Sequence, residues 1–336
     1  MRYRRLGRTD IEVSTVCLGG WALVGGPTWG DQDRAASRAA VRAALDAGVT
    51  FFDTAEGYGD GESEELLADA LGPRRQEVVI ASKVGERHLR PDALREHLER
   101  SLRRLKTDYV DLYQVHWPNP DIPLEETFGA LEALRAEGKI RAAGVSNFGS
   151  SYLRDLLKVR APASNQVCWS LLFRAVEHDV QPLCREHGVA LLPYSPLCQG
   201  LLTGKYRAPD DVPPGRARTR LFGPDRPEAR HREGGCEAAV FAALARIRRI
   251  ADGLGRPMGE VALAWLLAQE GVASVIAGAR SAEQAAADAR AADLDLAADV
   301  LAALAEATEP VKRHVGRNID FWQTESRADR PKRGPP

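Results

Sequence analysis

Glu77-Val-Val-Ile-Ala-Ser82, an amphipathic stretch opened by Arg90-Pro91-Asp92 and running to residue 105, and Tyr109-Val-Asp-Leu-Tyr-Gln-Val115 together decide the fold. Two short, β-branched, apolar runs flank a segment with helical periodicity and a proline in its first turn. Two strands joined through a helix of this length pair in parallel, with a right-handed crossover. The same alternation extends in both directions. Upstream lie Ser14-Thr-Val-Cys-Leu18 and Thr50-Phe-Phe-Asp53; downstream lie Ala142-Ala-Gly-Val-Ser146, Ala163-Ser-Asn-Gln-Val167, Ala190-Leu-Leu-Pro-Tyr194 and Val272-Ala-Ser-Val-Ile276. That makes eight strands. Residues 33–47, 63–71, 91–105, 124–137, 150–158, 180–186 and 258–269 read as the helices between them. Strict alternation through eight strands predicts an α/β chain closed as a (β/α)8 TIM barrel.

The competing architecture is an open doubly wound sheet, which needs a Gly-x-Gly-x-x-Gly turn directly after its first strand. Gly19-Gly20-Trp21 and Gly25-Gly26 do not spell it, and Gly57-Tyr-Gly-Asp-Gly61 has the wrong spacing and follows the second strand. Three segments fall outside the barrel count. Residues 2–13 read as an N-terminal β-hairpin around Leu6-Gly-Arg-Thr-Asp10. Residues 200–236, rich in Gly, Pro and Arg, form a long loop after the seventh strand, too long for a plain connection. A charged, weakly periodic tail follows the barrel. The expected organisation is therefore one domain over residues 1–336, with the barrel at about 14–308 and the tail at 309–336.

Composition narrows the function classes. The formal net charge is −1 over 336 residues, which offers no bulk field for nucleic acid or an anionic membrane. Five scattered cysteines (Cys17, Cys168, Cys184, Cys198, Cys236), without a Cys-x-x-Cys pair, argue against a disulfide framework or a structural zinc site and fit a reducing cytoplasm. Residues 1–6 lack the apolar run of a signal peptide, and no stretch is apolar for long enough to span a membrane. Small molecules are the expected partners; the oligomeric state has no sequence signature here.

In such a barrel the catalytic groups gather at the C-terminal rim, where loops from different strands converge. Asp53 ends the second strand, Tyr58 lies five residues further on, Lys83 follows the third strand and His116 follows the fourth. Singly, each has an ordinary reading: a helix-capping Asp, a half-buried Tyr, a surface Lys, a hydrogen-bonded core His. Together they deliver a carboxylate, a phenol, an ammonium and an imidazole to one mouth. Lysine is also scarce, with seven against 39 arginines, so it is not the default cation at a strand end. The set suits proton delivery to an oxygen that gains negative charge. Tyr58 would be the donor, Lys83 would stabilise its phenolate and lower its pKa, Asp53 would fix Lys83, and His116 would orient a carbonyl oxygen. No Ser-His-Asp or metal arrangement competes; Cys184-Arg-Glu-His187 is a lone pair at a helix and its edge.

Phe52-Asp-Thr-Ala-Glu-Gly-Tyr-Gly59, Ser63-Glu-Glu-Leu-Leu67, Ser101-Leu-Arg-Arg-Leu-Lys-Thr-Asp-Tyr-Val-Asp-Leu-Tyr113 with His116, Gly138-Lys-Ile-Arg-Ala-Ala-Gly-Val-Ser-Asn147, Asn165-Gln166 and Tyr194-Ser-Pro-Leu-Cys-Gln-Gly-Leu-Leu-Thr-Gly-Lys205 occur in this order. Over residues 2–310 the chain thereby resembles the aldo-keto reductases, in particular the branch of potassium-channel β subunits and bacterial aldehyde reductases. The resemblance implies a nicotinamide coenzyme held across the barrel mouth. By position, Ser146, Asn147 and Gln166 would hold its carboxamide and Tyr194 would stack on its ring. Ser195, Pro196, Leu197, Gly200 and Lys205 would follow the pyrophosphate, with residues 200–236 as a partial lid and Arg216 as a clamp. Ala277-Gly278-Ala-Arg280-Ser-Ala-Glu-Gln284 resembles the segment that binds the adenosine 2′-phosphate and adenine, which implies NADPH/NADP+; a guanidinium near a helix N-terminus suits a phosphate. Position 288 is Asp288 where the branch commonly has Asn.

Trp21, Trp29 and Trp117, in rim loops, are the expected walls of a substrate site for a small carbonyl compound. Reduction of an aldehyde or ketone is the leading expectation. A biosynthetic keto-reductase or dehydrogenase acting on a sugar or cyclitol uses the same groups, and a regulatory subunit that senses NADPH is the alternative of another class.

Overall fold

The structure, a computed structural model describing residues 1–330, closes eight parallel strands into a barrel. A two-stranded antiparallel hairpin, β1 (Tyr3–Arg5) and β2 (Glu12–Ser14), precedes it. The barrel strands are β3 (Val16–Gly19), β4 (Phe51–Asp53), β5 (Val79–Val84), β6 (Val110–Val115), β7 (Ile140–Ser146), β8 (Ser164–Cys168), β9 (Ala190–Tyr194) and β10 (Val275–Gly278), with β10 pairing both β9 and β3. Around them run α1 (Arg34–Asp46), α2 (Glu62–Leu71), α3 (Pro91–Leu105), α4 (Leu124–Ala136), α5 (Ser150–Val159), α6 (Val180–His187), α7 (Glu237–Gly253), α8 (Met258–Leu267), α9 (Ala282–Arg290) and α10 (Ala298–Val315). No helix among the described residues is long and apolar enough to cross a membrane, and all five cysteines are free thiols.

Two apolar layers hold this arrangement. The larger lies between strands and helices and includes Ile80, Val115, Val145 and Leu191 on the outward faces of the strands. The smaller fills the barrel with Cys17, Phe51, Ala81, Leu112, Ala142, Leu192 and Ile276. Leu6, Ile11 and Val13 from the hairpin belong to this inner layer and are fully buried, so the hairpin plugs the N-terminal end. Only the other mouth stays open. Gly144 sits where a Cβ would meet Ser164 Oγ at 2.6 Å and Leu112 Cδ1 at 3.0 Å, so the β7 backbone comes close to its neighbours only because no side chain intervenes.

The structure moves several expected boundaries. Ser14 belongs to the hairpin, and its hydroxyl accepts from the backbone N–H groups of Thr50 and Phe51. Lys83 lies inside β5 instead of after it, and the last strand begins three residues later than expected. Three helices, α7, α9 and α10, are additional to the seven expected. The boundary at 308 falls in the middle of α10, which continues through Pro310, and residues 316–330 return across the barrel mouth. Phe321 packs on Phe173 at 4.6 Å between ring centroids, Arg220 donates to the carbonyls of Val315, Asn318 and Asp320, and the Gly149 N–H donates to Ala328 O. Residues 331–336 of the expected tail lie outside the described residues.

Candidate active site

Side chains along a strand alternate between the two faces, so each inward position recurs every second residue. Inside the barrel the apolar inward residues end one step below the rim, and the next inward position is polar: Phe51 gives way to Asp53, Ala81 to Lys83, Leu112 to Gln114 and Leu192 to Tyr194. Pairing aligns these ends, with Lys83 opposite Gln114 and Ser146 opposite Gln166. The polar cluster at the mouth is thus a consequence of strand register.

Lys83 is fully buried, and its Nζ donates to Asp53 Oδ1 at 2.5 Å, to Thr54 O at 2.9 Å and to the Tyr58 hydroxyl at 3.1 Å. Asp53 Oδ2 accepts from Gln166 Nε2 at 2.7 Å and from Gln114 Nε2 at 3.3 Å. Desolvation alone would lower the Lys83 pKa, but the Asp53 charge and the bonds to Asp53 and Tyr58 more than reverse this, so it stays an ammonium. His116 closes the group, its ring centroid 5.8 Å from that of Tyr58. Desolvation, reinforced by Lys83 and Arg327, pushes its pKa down to about 3, so it is a neutral imidazole that can donate one N–H.

The expectation for Tyr58 needs correcting. Lys83 does pull the phenol toward ionisation, yet desolvation outweighs it and the net shift is upward. The hydroxyl therefore keeps its proton at neutral pH. An ammonium at 3.1 Å would favour the phenolate only if that proton departed.

A cleft of about 740 Å³ opens above this group. Every residue expected at the site lines it except Lys83, which lies beneath. On one side, Asn147 Nδ2 donates to His116 O and Ser146 Oγ, while its Oδ1 accepts from the Tyr194 hydroxyl at 2.8 Å. Ser146 Oγ donates to Gln166 O. Asn147 has a positive φ of 61°, a conformation that Asn tolerates better than most residues and that these bonds hold in place. After β9, the non-glycine residues Ser195, Cys198 and Gln199 have positive φ, which concentrates backbone strain in one turn along the cleft.

The 200–236 insertion crosses to the loop after β3. Arg218 donates to Thr28 Oγ1 at 3.0 Å, and Arg216 bonds the Tyr206 hydroxyl with its guanidinium 5.4 Å above Trp29. At the far end, Arg280 Nε donates to Gln32 Oε1 at 2.7 Å and its NH2 group to the Asp31 carbonyl, while Ser281 caps α9. Lys205, Arg216, Arg218, Arg230, Arg280 and Arg327 face Asp53, Glu260 and Asp288 across the cleft. Arg327 is paired with buried Asp320, and the acids are largely neutralised as well: Asp53 by Lys83, and Glu260 by Arg290 at 2.7 Å. Desolvation pushes Asp288 up to about 7, Arg290 pulling against it and Glu260 adding to it, so much of that carboxyl is uncharged at neutral pH. The positive excess fits a polyphosphate. Two buried side-chain atoms on the walls, Trp29 Nε1 and Gln199 Oε1, lack a protein partner, as expected of atoms that meet a ligand.

Trp21 stands beside Tyr58, stacked at 6.3 Å and edge-on to Trp29 at 5.4 Å. The sequence reading missed a further wall. Trp322 meets Trp21 edge-on at 6.5 Å, and Arg327 lies 3.9 Å from the Trp117 ring centroid, tied to Asp320 at 2.8 Å. Both come from the folded-back tail.

Known proteins carry the same pattern. The model of the aldo/keto reductase family matches residues 15–309, and the chain belongs to that family of oxidoreductases. Aldo-keto reductase YhdN of Bacillus subtilis is 37% identical over 300 residues, covering 84% of this chain and 86% of its own. An NADH-specific methylglyoxal reductase of Escherichia coli is 35% identical over 330 residues, covering 90% and 98%. Among solved structures, an aldo-keto reductase from Klebsiella pneumoniae in complex with NADPH superposes with a TM-score of 0.75 at 32% identity, covering 96% of this chain and 100% of that one.

Proposed function

We propose that the protein, working as one domain, reduces an aldehyde or ketone with NADPH, and that Tyr58 is the proton donor. The observation that carries this reading is the buried Asp53–Lys83 pair with the Tyr58 hydroxyl at 3.1 Å, on the floor of a cleft rich in cations. Bound NADPH would supply the hydride. Ser146, Asn147 and Gln166 would hold its carboxamide, exchanging some of the bonds they now make with one another, and Tyr194 would back the ring. Lys205 and Arg216 would hold the pyrophosphate beside Ser195, Pro196, Leu197 and Gly200. Gly278, Gln284 and Asp288 would line the adenosine end.

A carbonyl oxygen placed between Tyr58 and His116 would accept a hydrogen bond from each. As negative charge builds on that oxygen, Tyr58 releases its proton to it and Lys83 stabilises the phenolate. Keeping Lys83 charged is the task of Asp53, whose second oxygen is held by Gln114 and Gln166. Trp21, Trp29 and Trp117 would form aromatic walls suited to an apolar or sugar-like substrate face. A sugar or cyclitol oxidoreductase would use the same groups in either direction.

The preference for NADPH rests on Arg280 beside the capped N-terminus of α9. The Escherichia coli relative specific for NADH makes this the part most in need of a test. Arg280→Ala should raise the Kd for NADPH by roughly ten- to a hundredfold, as expected for loss of a charge-assisted contact, with little change for NADH. Titration of protein fluorescence with each coenzyme measures both. Equal weakening of the two would remove Arg280 from the 2′-phosphate.

A further inference from the structure

Three carboxyl groups line the cleft, and two of them hold a cation: Asp53 has Lys83 at 2.5 Å and Glu260 has Arg290 at 2.7 Å. The third, Asp288, has none. Among the described residues no N–H or O–H donates to its oxygens, and the guanidinium two residues on, Arg290, is committed to Glu260. Gln284 and Asp288 are four residues apart in α9, so they share the helix face that borders the cleft. Helix α8 packs on α9 and adds Gly259 and Glu260 from its first turn. The other neighbours of α9 bring no charge to bear on Asp288. Strand β3 is uncharged, and Arg34, Arg38 and Arg42 of α1 act on Glu62, Asp69 and the Ala70 carbonyl of α2. Asp293, in the turn after α9, is paired with the Met1 ammonium at 2.9 Å, and Arg280 is held on Gln32 and the Asp31 carbonyl.

We propose that Asp288 couples coenzyme binding to the uptake of one proton, so that affinity is greatest below neutral pH and falls as the pH rises; this rests on the reading of the cleft as an NADPH site. A carboxylate without a protein donor depends on water for its hydrogen bonds. An adenosine that fills this end of the cleft displaces that water, and the coenzyme brings its own negative phosphates. Both effects favour the neutral carboxyl. The neutral form can also donate its O–H to a ring nitrogen of adenine and accept from the exocyclic amine, whereas the ionised form only accepts. Desolvation already raises the Asp288 pKa to about 7 with the cleft open, Arg290 opposing the rise and Glu260 adding to it. The bound state holds the proton more tightly than the free state. Affinity is therefore complete below the free pKa and is lost as pH rises through it.

The test is a fluorescence titration of the full-length protein and of Asp288→Asn with NADPH, from about pH 6 to pH 8.5. Asn presents a donor and an acceptor at every pH. The ratio of the unaltered protein's Kd to the variant's cancels the titration of the 2′-phosphate itself, and it should rise by about 5–30-fold across this range. The upper figure applies if only the neutral carboxyl binds, the lower if the bound pKa lies about one unit above the free one. Calorimetry of the unaltered protein at about pH 8, in two buffers of different ionisation enthalpy, should show uptake of roughly half a proton or more per NADPH bound. Should circular dichroism show that Asp288→Asn is unfolded, the calorimetry decides alone. A ratio independent of pH, or binding without proton uptake, overturns the coupling and leaves the coenzyme site standing. Absence of NADPH binding by the unaltered protein at every pH overturns both.

Discussion

Tyr58→Phe should lower kcat/KM for carbonyl reduction by roughly 10²–10⁴-fold, the usual contribution of a positioned general acid. The loss should fall on kcat, because the hydroxyl matters when charge develops on the substrate oxygen and little before then. Coenzyme affinity should be nearly unchanged, since the ring that packs against Trp21 and His116 is retained. Stability should move by no more than about 1 kcal/mol: the hydroxyl makes one bond to Lys83, which keeps Asp53 and the Thr54 carbonyl as partners. Steady-state kinetics and a coenzyme titration on the same preparation check both. Full activity in Tyr58→Phe would remove the donor role.

Lys83→Met should act on stability as well as on activity. It leaves the Asp53 carboxylate, 3% exposed, facing only two amides where it had an ammonium at 2.5 Å. Removing one partner of a buried ion pair costs about 3–5 kcal/mol, because the remaining charge is uncompensated. Adding Asp53→Leu to Lys83→Met removes that charge, so the double variant should be more stable than the sum of the single losses predicts. Urea unfolding of the four proteins measures this. Additive losses, or a single loss below about 1 kcal/mol, would show that the pair is not coupled as described.

Much of the barrel was legible because its signals are periodic. The runs around Phe52, Ile80 and Leu112 have strand length and composition, and the switch from apolar to polar at Asp53, Lys83 and Gln114 falls on the two-residue period that defines the inward face. Helix α7 was equally legible: its buried residues, Val240, Ala243, Leu244, Ile247 and Ala251, recur at helical spacing, and the alternating strand–helix reading passed over them. The folded-back tail was not. Residues 316–330 are held by Arg220 reaching the distant carbonyls of Val315, Asn318 and Asp320, and by an ion pair between the Asp320 and Arg327 side chains, contacts that obey no sequence period. Pro310 also reads as a helix end, yet α10 continues past it for one more turn. That segment supplies Trp322 and Arg327, so the wall of the cleft facing Trp21 and Trp117 was the part least visible in advance. The Tyr58 shift was missed for a different reason: Lys83 was foreseen, but the extent of desolvation depends on walls contributed by many distant segments.

The central claim is that this cleft transfers hydride to a carbonyl and does not merely hold a coenzyme. The direct measurement is consumption of NADPH by the purified protein across a panel of aldehydes, ketones and keto-sugars, followed by its absorbance, with Tyr58→Phe as the control. The account predicts carbonyl-dependent oxidation of NADPH that the variant loses. Tight NADPH binding without oxidation by any member of the panel would contradict it and favour a coenzyme-sensing role.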